Sequence, residues 1–221
     1  EVTSGFSRTG VAQNWRSNGG TWSYTLPFAF EFYGESYTSV TVSSRGLLQF
    51  GTNNDASNGA NDLSRLGERI RIAPLWDDLR TSGTGDDIFI DSSIPDQVTI
   101  RWDATRNGTE VDVNFSVTLF SDGRIRFDYG SGNTALSSTS GLSAGDQLRY
   151  QAALSNGLSD LNGAGSLEFI YTDLGFKDIG AYEFAASSDD LIPPVVIGSV
   201  PAFVDAGGAG ADIPSDSVTI L

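Results

Sequence analysis

Asp77 and Asp78 stand side by side, with Asp86, Asp87 and Asp91 close behind, and Asp55 lies in the oxygen-rich run from Asn53 to Asp62. Carboxylates are hard donors, and calcium takes six to eight oxygens at about 2.3–2.6 Å. Asp77, Asp78, Asp86, Asp87 and Asp55 are therefore candidate calcium ligands, and calcium is the one cofactor the sequence suggests. Asn53, Asp55 and Ser57 alternate as at the start of a calcium loop, but the closing bidentate Glu is absent. The competing reading is a set of solvated acidic loops, in which a carboxylate such as Asp77 accepts bonds from turn amides.

Other chemistries have weaker footholds. Trp15, set among Asn14, Arg16, Ser17 and Asn18, is the candidate for stacking against a sugar ring, whereas Trp76 and Trp102 lie in apolar strand patterns and read as core. Glycoside hydrolysis needs two carboxyl groups about 5–10 Å apart, one with a raised pKa. Glu31, Glu110, Glu168 and Asp103 sit on strands, but nothing in the pattern singles out a pair. Asn107-Gly108-Thr109 and Asn114-Phe115-Ser116 have N-glycosylation spacing, which matters only in a host with the machinery.

Composition excludes more than it suggests. The absence of Cys, Met and His removes disulfides, thiolate chemistry, the usual zinc, haem and iron–sulfur ligand sets, and every His-based triad. A formal charge of −15 argues against nucleic acid and anionic membrane surfaces, which need clustered Lys and Arg. No stretch approaches the roughly 20 apolar residues of a membrane span, so no membrane insertion is expected. Starting at Glu1 without a basic leader, the chain reads as a mature or trimmed product, and its lack of disulfides is ordinary for a bacterial exported protein.

The elements that must position these residues are strands. Apolar residues alternate along Trp22-Tyr24-Leu26, Phe28-Phe30-Phe32, Val40-Val42 and Leu48-Phe50, with breaks expected at Pro27, Tyr33-Gly34-Glu35 and Arg45-Gly46. Asp87 to Asp91 with Val98 to Trp102, and Val111 to Phe120 with Arg124 to Tyr129, read as hairpins. In the second, Val111, Val113, Phe115, Val117 and Leu119 share a buried face, and Asp112, Asn114, Ser116 and Thr118 share the other. Tyr150 to Leu154 and Leu167 to Tyr171 are expected to form a last pair. The one helix candidate, Asp62 to Ile70, is too short to organise a core. The fold class is all-β, an antiparallel β-sandwich or jelly-roll-like fold.

Three segments in series carry a resemblance: Leu26 to Gly34 with Val42 to Gly51, then Ile72-Ala73-Pro74-Leu75-Trp76-Asp77-Asp78-Leu79, then Gly123 to Tyr129. Together they resemble the nidogen-like extracellular domain and its bacterial relatives, over roughly residues 20 to 172. Arg45 departs from these relatives, which usually place Asn before the Gly. The resemblance implies an adhesive or matrix setting outside the cell and brings no catalytic residues with it. Asp190 to Pro201, followed by Pro214 to Leu221, resembles the opening of a bacterial Ig-like domain, about a third of one.

The domains read as a nidogen-like β-sandwich over 1–172, a linker over 173–190, and a partial Ig-like segment or strand-donor tail over 191–221. The function expected is a non-catalytic extracellular structural or adhesion module of a large exported protein, calcium-stabilised and self-assembling by strand addition. Its partners would be other extracellular domains or copies of itself. A carbohydrate-binding module for polysaccharide is the first alternative and a carboxylate-based glycoside hydrolase the second. Far-ultraviolet circular dichroism checks the fold class: more than about a fifth helix would end it.

Overall fold

The computed structural model describes residues 5–52, 55–154, 160–172 and 175–178. Asn53, the expected Ig-like segment and all of 179–221 lie outside the described residues. The elements run β1 Val11–Ala12, β2 Thr21–Phe32, β3 Glu35–Ser43, β4 Leu47–Gln49, α1 Leu63–Gly67, β5 Ile70–Trp76, β6 Leu79–Arg80 and β7 Asp87–Asp91. They continue with β8 Gln97–Arg106, β9 Asp112–Phe120, β10 Ile125–Tyr129, β11 Thr139–Ala144, β12 Tyr150–Leu154, β13 Leu167–Thr172 and β14 Gly175–Asp178. Two antiparallel sheets result. The first has the order β12-β11-β5-β4-β3-β2, the second β1-β7-β8-β9-β10-β13-β14, with β6 on the end of β8. The all-β sandwich expected from the alternation is what the chain forms.

The turns follow residue chemistry. Tyr33 and Gly34 both hold positive φ, 53° and 87°, as a two-residue hairpin loop requires, and they close Phe32 onto Glu35. Helix α1 is capped by Asp62, whose side chain accepts Arg65 N at 2.8 Å.

Between the sheets, Phe30, Phe32, Val42, Leu48, Ile72, Ile100, Trp102, Phe115, Val117, Phe127 and Phe169 form one buried cluster. Trp76 and Trp102 are core residues, as their patterns indicate. Two polar side chains cross the gap. Trp102 Nε1 donates to Ser43 O at 2.7 Å, and Tyr129 OH donates to Pro74 O at 3.0 Å, so each apolar ring delivers its one polar atom to a backbone carbonyl of the opposite sheet.

Four expectations need correction. β2 runs through Pro27 without a break; it is an edge strand, where a missing N–H costs no ladder bond, and a register shift between Thr25 and Phe30 absorbs the irregularity. β12 and β13 do not pair, because β12 adds to β11 in the first sheet and β13 to β10 in the second. Gly175–Asp178, expected as linker, pairs with β13 and extends the second sheet beyond residue 172. The polar face of β9 is not open to water, since Asn114, Ser116 and Thr118 are buried. Loops cover them: Asn133 donates to Asn114 O at 2.7 Å and accepts from Asn114 N at 2.7 Å, standing in for a strand partner.

Gly46 marks where the first sheet's β3–β4 turn meets the C-terminal end of β5. Its φ is +81°, and a Cβ there would lie 2.0 Å from Leu75 O. Gly46→Ala combines a left-handed backbone with a clash against main chain and is expected to lose about 2 kcal/mol or more. Urea unfolding checks this, and a loss within experimental scatter would mean that the turn has room to shift.

Candidate functional site

β5 belongs to the first sheet and β6 to the second, so the chain changes sheet between Trp76 and Leu79. At such a corner the ladder ends and backbone polar groups need other partners. Asp77, with its side chain 4% exposed, supplies them. Its Oδ1 accepts Asp78 N at 2.7 Å and its Oδ2 accepts Ser137 N at 2.8 Å, while Arg106 Nε stands 4.0 Å away. Its own amide donates to Arg45 O and its carbonyl accepts Leu79 N.

Asp78 gathers the neighbouring loops. It forms an ion pair with Arg45, accepts Asn107 Nδ2 at 3.2 Å through Oδ2, and accepts Asn107 N at 2.7 Å through its carbonyl. Arg45 also donates to Leu79 O at 2.7 Å and Ser57 O at 3.1 Å, and Asn18 Nδ2 reaches Asn107 Oδ1 at 3.2 Å. Loops carrying residues 18, 45, 57, 78 and 107 are thereby tied to one carboxylate and one guanidinium.

The remaining acids lie elsewhere. Asp55 pairs with Arg71 at 2.5 Å and Arg69 at 3.4 Å. Arg71, its side chain 2% exposed, stacks its guanidinium 4.7 Å over Trp76 and donates to Arg65 O and Gln49 Oε1. Desolvation lowers its pKa against the pull of Asp55. Asp87 accepts three amides, from Asn14, Trp15 and Ile88. Asp86 accepts Gly83 N at 3.0 Å and Thr105 Oγ1 at 2.8 Å, and burial raises its pKa despite those two bonds.

The sequence-selected acids thus fall into three places: the corner for Asp77 and Asp78, the start of β7 for Asp86 and Asp87, and the Arg71 loop for Asp55. Among the described residues no three acidic side chains gather as a metal centre would require. A calcium ion at any of the three would have to take over oxygens that already accept protein donors.

Trp15 is half-buried and stacks on Trp22, centroids 5.4 Å apart and planes 1° from parallel, so one face of its ring is already occupied. The carboxylates of the hydrolase reading bind separate arginines: Asp103 binds Arg101 and Arg8, Glu168 binds Arg124, and Glu110, expected on a strand, lies in the turn between β8 and β9 and binds Arg80, while Glu31 is exposed. Asn114 is buried in β9 and Asn107 is held by Asp78, which leaves neither sequon asparagine a free side chain. Arg71 and Arg101 are buried, ion-paired side chains that the sequence reading passes over. Their only signal is an arginine alternating with apolar residues, which reads equally well as a solvent-facing position.

The family model described as NIDO related matches residues 4–171. The chain belongs to the NIDO-related family. No curated protein and no solved structure matches it. The segments that carried the nidogen-like resemblance form β2 to β4, β5 with the corner, and β10 of this NIDO-related domain. The family is one of extracellular, non-enzymatic modules, and among the described residues no helix is long and apolar enough to cross a membrane.

Asp86 gives the NIDO-related domain a pH-dependent stability. Its raised pKa means that it keeps its proton to higher pH in the folded chain than in the unfolded one, so stability falls as pH rises through that value. Asp86→Asn removes the buried charge and keeps an oxygen for Gly83 N and Thr105 Oγ1. The variant is expected to melt above the parent at mildly alkaline pH, with the gap closing as pH falls towards the ordinary carboxylate range at about 4. Melting curves across pH check this; a constant gap would show that Asp86 does not titrate as its burial requires.

Proposed function

We propose that this NIDO-related domain is a structural module of a large exported protein, holding its neighbours in place outside the cell through contacts with other extracellular domains or further copies of itself. The observation that carries this reading is where the charges go. All described arginines except Arg16 lie within 4.0 Å of a carboxylate, and Arg16 donates to Gly83 O. The acids that looked chemical in the sequence brace loops, and the arginines complete the bracing. This arrangement favours shape persistence over turnover, and the unbalanced acidic surface suits salty or calcium-containing surroundings that screen self-repulsion.

Antibody labelling and protease treatment of intact cells of the native producer test the setting. The domain is expected to be labelled and cleaved without permeabilisation. Access only after the cells are opened would overturn an exterior role, and release of products from a polysaccharide panel would overturn a non-catalytic one.

A further inference from the structure

The segment from Gly5 to Ala12 crosses the outer face of the second sheet. Gly5 N donates to Ser166 Oγ at 2.9 Å, and Ser166 Oγ donates to Asp128 at 2.5 Å. Phe6 lies against Gly130, where a Cβ would come within 2.6 Å of its ring. Arg8 pairs with Asp103 at 3.3 Å, and Thr9 O accepts Arg101 Nε at 3.2 Å. Gly10 passes so close to β7 that a Cβ would sit 2.9 Å from the Ile90 carbonyl carbon. β1 then pairs with β7, Val11 opposite Ile90 and Ala12 opposite Phe89.

Beneath this strap, Phe89, Arg101, Ser116 and Asp128 form one row in register across four strands. Arg101, Ser116 and Asp128 are 4%, 2% and 1% exposed, whereas the strap above is exposed from Ser7 to Ala12, Val11 at 71%. The strap's contacts are polar and lie at the surface, Phe6 being its one part-buried apolar side chain, and a segment that buries little apolar surface opens at low free energy. Apart from Phe89, which the Arg101 guanidinium covers at 3.8 Å, what it uncovers here is charged or hydroxylated, so water can solvate it. The core lies on the other side of the sheet and is not uncovered. Opening also bares the backbone of Phe89 and Ile90, a short sheet edge ready to take a strand. The base of the strap stays fixed, because Asn14 and Trp15 donate their amides to Asp87.

We propose that Gly5–Ala12 is an exchangeable strap, and that the β7 edge with the polar row beneath it is where the same segment of a second copy docks by strand addition. The occupant is set by fit: glycines at 5 and 10 where the crossing is too tight for a Cβ, a cation at 8 for Asp103, and the register of Val11 on Ile90. A second copy carries the identical set, so open exchange and closed monomer share their contacts and differ in the cost of association. This goes beyond the proposed function and does not depend on it.

The chain has no cysteine, which makes the test direct. Val11→Cys and Ile90→Cys chains, prepared singly and mixed at high concentration under mild oxidation, are expected to give a covalent heterodimer in excess over like-with-like dimers, its yield rising with concentration. The double variant is expected to close its own disulfide and to lose dimer formation. Heterodimer at no more than the like-with-like level, with the double variant closing normally, would overturn exchange. Failure of the double variant to close would overturn the β1–β7 register on which exchange rests. Ala12→Cys with Phe89→Cys repeats the measurement without touching buried Ile90.

Discussion

The passage of the chain from one sheet to the other at Asp77-Asp78 is the constraint on which the rest of the fold depends. Two sheets in a sandwich share no ladder, so a crossing strand must abandon its hydrogen-bond partners within a few residues. Asp77 replaces them with a buried carboxylate that accepts two amides, and Asp78 with Arg45 draws the surrounding loops onto the same point. Gly46 passes the Leu75 carbonyl at this end for the same reason: the β3–β4 turn and the end of β5 must touch for the corner to close. Trp102 and Tyr129 then fix the sheets to each other through Ser43 O and Pro74 O, so side-chain geometry and not apolar contact alone sets their relation.

A sandwich leaves edges, and this one handles them in two ways. β2, a long outer strand, carries Pro27 and a register shift, both of which spoil it as a template for another chain. The β7 edge has neither device and is covered by two residues of the strap. The contrast is physical: Pro27 blunts β2 permanently, whereas β7 is protected only as far as the strap stays in place.

Much of the fold was legible because it is local. Period-two alternation gave β7 to β10 and their hairpins, and Gly34 and Gly46 announced turns through glycine's tolerance of positive φ. What failed was long-range. Nothing in Tyr150–Leu154 or Leu167–Thr172 says which sheet each joins, since both are short apolar strands whose neighbours are chosen by the whole sandwich. The polar face of β9 reads as solvated until the strap and Asn133 are placed over it. The candidate site divides the same way. Asp77 and Asp78 could be picked out as unusual, but a carboxylate waiting for a cation and one accepting Ser137 N look alike in a sequence.

That ambiguity explains how an acidic domain without cysteine or histidine can be well fixed. Hydrogen bonds from amides and guanidinium groups to ionised carboxylates are about twice as strong as neutral ones. Placed at corners, they hold backbone that the ladders cannot reach. Asp87 collects three amides, Asp77 two, and Arg71 joins Asp55, Arg65 O and Trp76 in one buried contact. Carboxylates used in this way hold in place the loops that donate to them. The chemistry that makes the sequence look reactive is, in the folded chain, what keeps the module rigid.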